Sequence, residues 1–244
     1  MIAARCGLLL VAAMLILSGF HTAAPELSPS AWRVVVAAVF GLVAPLFWPG
    51  SAQSAAHTAL RIVAWSVAAA CLAAVALQFV GHAPQPLSGI LAVCTMLLPI
   101  LLATHTLTAL LEWRWRLRSG HAGTAREAAG RTASLVLAAL GSLPLWFGPV
   151  AESLSHRQDW IVDAALGVSP LTHLAVASGN DLLRNEWLYQ HSNLASLQVS
   201  YPDLATTAWS YASVCLLLTL GALAYGRLRG AARALARLNL ENPR

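Results

Sequence analysis

The sequence predicts an all-α fold, a polytopic transmembrane helical bundle of about six spans that makes one transmembrane domain of residues 1–244. Three observations predict it. Hydrophobic residues make up 58% of the chain and charged residues 10%, where a soluble domain carries about 25% charged residues. Mean hydropathy is +0.65, so the surface has too little polar cover to face water everywhere. The apolar residues also fall in unbroken runs of Leu, Ala and Val, with arginines gathered at the ends of alternate runs.

The runs are 7–24, 31–48, 58–80, 87–111, 132–150 and 204–225. Crossing a hydrocarbon core of about 30 Å takes about 20 residues. The second run, interrupted by Pro45, and the fifth, with Pro144 and Pro149 near its far end, are short and need tilt or interfacial support. The fourth contains Pro99. Helices are expected because backbone groups in lipid must bond within their own segment. A β-barrel would alternate apolar and polar residues over stretches of about ten. The first run also fits a secretory leader, with Arg5, the apolar stretch Gly7 to Phe20 and Thr22-Ala23-Ala24 as a cleavage site. The remaining topology is the same either way.

Arginine placement sets the expected orientation. Arg5 precedes the first run, and Arg114, Arg116, Arg118, Arg126 and Arg131 lie between the fourth and fifth. Arg227, Arg229, Arg233 and Arg237 follow the sixth, in a tail of residues 226–244. With six spans these groups share one side, the cytoplasm, and both termini lie there, as in a bacterial inner membrane protein. Glu26, Glu152, Asp159, Asp163, Asp181, Glu186 and Asp203 share the other side. Arg33 is the exception, at the outer start of the second span.

All 15 basic residues are Arg. Without lysine there is no Walker-A phosphate lysine and no Schiff-base lysine. Arg114, Arg116 and Arg118 alternate with Trp113, Trp115 and Leu117. Beside a span end this pattern, together with Arg126 and Arg131, reads as an interfacial anchor on anionic lipid or an inner-face partner contact, not as a nucleic-acid site. Cys6, Cys71, Cys94 and Cys215 form no CxxC pair and read as small buried hydrophobes. No HExxH, GxSxG or EF-hand pattern appears, so no catalytic residue, metal site or cofactor is expected.

The outer segment 152–203 is not simply polar. Asp159 to Leu166 reads as a short amphipathic helix ended by Gly167. Ser169 offers an N-cap, Pro170 fits the first helical position, and a second helix runs from Pro170 to about Tyr189, broken or kinked at Gly179-Asn180. The segment is expected at the outer interface, either as a gate formed by Ser169, Pro170, His173, Asn180, Asp181 and Trp187 or as an interfacial belt.

Within the spans, Thr104, His105 and Thr108 form a polar cluster at helical spacing. An intramembrane polar cluster is a candidate translocation-path site. A haem ligand, proton relay or substrate contact at His105 stands against a neutral histidine bonded to a neighbouring helix, which is the favoured reading. No run has an acidic residue near its centre, and Glu112 and Glu152 lie at run ends. That argues against ion-coupled secondary transport, which commonly uses buried carboxylates.

With its fifth run, the stretch Gly167-Val168-Ser169-Pro170-Leu171-Thr172-His173-Leu174, an outer helix and a sixth run, the chain resembles the membrane-spanning permease subunit of ABC exporters of the ABC-2 type. The resemblance covers the layout of the chain, with its local match in residues 130–230. It implies six spans, short re-entrant or interfacial helices between spans five and six, and a dimer with itself or a related permease. It also implies separate ATPase subunits acting in trans and alternating access as the mechanism. Only Met1 to Cys6 precede the first run, where that family has an elbow helix, and Gly50 to His57 is short and uncharged, where it has a coupling helix. The reading from another class is a non-transporting membrane assembly protein or scaffold.

Overall fold

The computed structural model describes residues 2–24, 26–52, 54–80, 85–119, 121–144, 159–180, 201 and 203–221. Asp181, Trp187, the end of the fifth run at 145–150 and the tail 226–244 lie outside the described residues. Among the described residues the helices are α1 (Ile2–Ala23), α2 (Pro29–Val43), α3 (Ala55–Phe79), α4 (Leu87–Ser119), α5 (Ala122–Gly141), α6 (Asp159–Val168), α7 (Pro170–Ala177) and α8 (Leu204–Gly221). A 3-10 turn, Ala44–Phe47, follows α2. There is no strand among the described residues.

Among the described residues five helices are long and apolar enough to cross a membrane: α1, α2 with its 3-10 turn, α3, α4 and α8. The chain is an all-helical protein with the make-up of an integral membrane protein. α5 is not among the five. It begins at Ala122, ten residues before the expected start of the fifth run, and its first turns carry Arg126, Glu127 and Arg131. α4 has 33 residues; at about 1.5 Å per residue it is about 50 Å long and overruns a 30 Å core.

Local sequence explains the boundaries. Ser28 caps α2, accepting from the Ala31 amide at 3.2 Å, with Pro29 in the first helical position. Pro45 has no amide hydrogen, so the α2 ladder gives way to the 3-10 turn. Ser54 caps α3 through the His57 amide, and Ser169 caps α7 through the Thr172 amide. Gly179 has φ +68° and ends α7, its neighbour Asn180 donating back to the Ala175 carbonyl at 2.9 Å. The Gly179-Asn180 step therefore stops the helix at Ala177, where the sequence allowed a kinked helix to about Tyr189.

α4 is the central element, packed between α3 and α5, and α2 lies against α1, α3, α4, α5 and α7. Trp32, Phe40, Trp48 and Trp65 are fully buried. On α3 the inward stripe is Ala69, Ala73, Ala76 and Leu77. Small side chains let helices approach closely, which gives dispersion contacts where lipid offers no hydrophobic drive. The closest approach is at Gly130 of α5, where a Cβ would stand 2.5 Å from the Pro45 carbonyl oxygen. Ser134 fixes the same contact by donating to the Leu42 carbonyl at 2.8 Å. Outward-facing Leu15, Leu60, Phe79, Leu91 and Leu135 are exposed, as is nearly all of α8.

Candidate functional site

The starts of α1, α3 and α5 and the ends of α2 and α4 meet at one end of the bundle, around the loop from Trp48 to Ala52. Glu112, on α4, is completely buried there. Its Oε2 accepts from the Trp48 indole at 2.9 Å, the Ser51 amide at 2.8 Å and the Ser51 hydroxyl at 2.7 Å. Its Oε1 pairs with Arg116, one turn further along α4. Two more arginines hold the loop's carbonyls. Arg5 of α1 donates to those of Phe47 and Trp48, and Arg61 of α3 donates to that of Gly50 at 3.1 Å. Gly50 has φ +92°, a conformation that favours glycine, and a Cβ on it would stand 3.4 Å from Arg126 Cδ and 3.5 Å from Glu112 Oε1.

The network continues toward the bundle centre. His105 lies seven residues before Glu112, on the same face of α4 and about 10 Å along its axis. Its ring stacks on that of Trp48, with centroids 5.7 Å apart and planes 17° apart. His105 Nδ1 lies 2.8 Å from the Ser66 hydroxyl of α3. Its Nε2 is buried with no hydrogen-bond partner among the described residues. A continuous path therefore runs from Arg116 through Glu112 and Trp48 to His105 and Ser66. Thr104 and Thr108 flank it but turn their hydroxyls onto α4 itself, donating to Ile100 and Thr104 carbonyls at 2.7 and 2.8 Å.

At the opposite end, Ser169 donates to the Gly141 carbonyl at 3.1 Å, tying the α6–α7 step to α5. Pro170 and His173 are buried. His173 Nδ1 lies 3.0 Å from the Tyr211 hydroxyl of α8, with the rings edge to face. Arg33, the charge that departed from the topology pattern, donates to the Ser178 carbonyl at 2.7 Å and to Gln85 Oε1 at 3.1 Å. A cation at a helix C-terminus is favourable, and here it anchors α7 against α2. Two largely apolar cavities flank α7. One of about 550 Å³ is lined by Gly41, Ile100, Ala138 and Leu174. The other, of about 320 Å³, is lined by Thr104, Leu107, Leu137 and Tyr211.

Of the expected site residues, His105 joins the buried network and Arg116 is half-buried against Glu112, while Arg114, Arg118 and Arg131 are exposed. Arg131 pairs with Glu127 at 3.7 Å on the surface of α5. Glu112, Trp48, Ser51 and Ser66 were not singled out by the sequence. The available signal was Glu112 four residues before Arg116 on one helix, the spacing of an intrahelical ion pair. Among the described residues no three His, Cys, Asp or Glu side chains gather into a metal-binding group.

The fold and this buried polar path define a helical integral membrane protein with a polar seam at one end. Compared with known families, characterised proteins and solved structures, the chain finds no match in any of the three.

Proposed function

We propose that the chain is the permease subunit of an ABC-2-like transporter, moving substrate by alternating access driven by separate ATPase subunits. The observation that carries this reading is the helix pair α6–α7. It follows α5, precedes α8, breaks at Ser169-Pro170 and packs α7 against α2, α4 and α5. Such a pair supports the reading because the resemblance implies short helices between spans five and six. In this reading α6 and α7 form the outer gate. The exposed Arg114, Arg118 and Arg131 face the cytoplasm, where ATPase subunits dock. Their closure biases α4 between two packed arrangements, and a bistable element of this kind is what alternating access requires.

Affinity purification from native membranes in mild detergent tests the proposal. The expected result is a co-purifying ATPase subunit and ATP hydrolysis, with both reduced when Arg114 and Arg118 are changed to Glu. Recovery of the chain alone, without hydrolysis, from preparations that retain other membrane complexes would overturn it in favour of a non-transporting scaffold.

A further inference from the structure

We propose that Arg126, with Arg5 and Arg116 beside it, binds the phosphate of an anionic glycerophospholipid at the Trp48–Ala52 end of the bundle. The first argument is charge balance. Arg116 and Arg126 lie against Gly50, Arg61 donates to its carbonyl and Arg5 donates to those of Phe47 and Trp48, and among the described residues Glu112 is the one carboxylate in contact with this group. Glu127, the other acid on this part of α5, pairs outward with Arg131. Among the described residues Arg126 makes no ion pair, and its stem is held beside Gly50. A half-buried guanidinium beside other guanidinium groups favours an anion, and phosphate offers paired oxygens for the planar donor fork.

The second argument is depth. The cluster lies where apolar spans begin and end, beside Trp113 and Trp115, residues that favour the headgroup level. Leu8 in α1, Leu60 and Val63 in α3, and Leu46 in the 3-10 turn lie exposed within about three turns of this same end. Leu46 sits next to Gly130, one turn along α5 from Arg126. A lipid whose phosphate met Arg126 would lay its acyl chains along those side chains, whereas free phosphate would leave them uncovered.

The test uses the full-length protein, purified in detergent, delipidated, then mixed with phosphatidylglycerol or phosphatidylcholine and read by native mass spectrometry and thermal unfolding. The expected result is retention of phosphatidylglycerol about tenfold over phosphatidylcholine, the effect of one charge-assisted contact. R126Q should abolish that preference and the accompanying thermal shift while leaving the lipid-free unfolding temperature unchanged, and R126K should keep part of it. R114Q with R118Q should leave it intact. Equal retention of both lipids, an unaltered preference in R126Q, loss of the preference in the Arg114 and Arg118 variant, or reproduction of the full thermal shift by inorganic phosphate would each overturn the proposal.

Discussion

The indole of Trp48 donates to the carboxylate of Glu112 at 2.9 Å, across 64 residues of sequence, with both side chains buried. This bond fastens the turn after α2 to the end of α4. It also brings the Trp48 ring flat against His105, so one tryptophan joins an interfacial ion pair to a histidine inside the bundle.

Arg116→Ala should destabilise the protein by about 1–3 kcal/mol, because it removes the guanidinium bonded to a fully buried carboxylate and leaves Oε1 without its donor. Arg114→Ala, an exposed neighbour on the same helix, should change stability by less than about 0.5 kcal/mol. Thermal unfolding of the two variants in the same detergent measures the difference. Equal effects would show that the Glu112–Arg116 pair contributes nothing beyond surface charge.

Two glycines with similar crowding should respond differently to alanine. At Gly130 the obstacle is the Pro45 carbonyl, which is backbone, and Gly130→Ala should cost about 1–3 kcal/mol through forced separation of α5 from the 3-10 turn. At Gly89 the obstacle is the guanidinium of Arg33, 2.6 Å from a Cβ position, and a side-chain end can move aside. Gly89→Ala should therefore be milder, and the order of the two melting temperatures checks this.

The His105–Ser66 bond should appear as an energetic coupling of about 0.5–1.5 kcal/mol in a double-mutant cycle. His105→Phe keeps an aromatic ring against Trp48 and removes the nitrogen that Ser66 meets; Ser66→Ala removes the hydroxyl. Additive losses in the double variant would show that the two side chains are merely adjacent.

The proposed topology predicts opposite labelling of two exposed positions. In a background with Cys6, Cys71, Cys94 and Cys215 replaced, Asp163→Cys on α6 should react with a membrane-impermeant maleimide added to intact cells. Thr124→Cys at the start of α5 should react only after the cells are opened. The reverse pattern would invert the orientation read from the arginines.

Five of the expected apolar spans were legible because hydropathy is a property of each segment alone. Length, Pro interruptions and the Ser169-Pro170 cap needed no knowledge of neighbouring helices. The start of α5 was misjudged for the same reason. Ala122 to Arg131 is too polar to be read as span, yet it continues the helix because its alanines and glycine pack against α4 and the 3-10 turn. The buried network was hidden for a different reason. Glu112 looks like an ordinary charge at a span end, and only the folding of Trp48 and Ser51 over it excludes solvent. Arg33 was likewise anomalous until Ser178, 145 positions away in sequence, came to rest on it.

Concentrating so many attachments on one carboxylate has a mechanical result. Rotation of the Glu112 side chain would release the indole, both Ser51 donors and Arg116 together, leaving the loop tethered only by Arg5 and Arg61 through its carbonyls. The junction of α2 and α3 thus behaves as a catch with one central pin: closed, it resists small distortions, and once the pin turns, only the two arginine stays hold the corner.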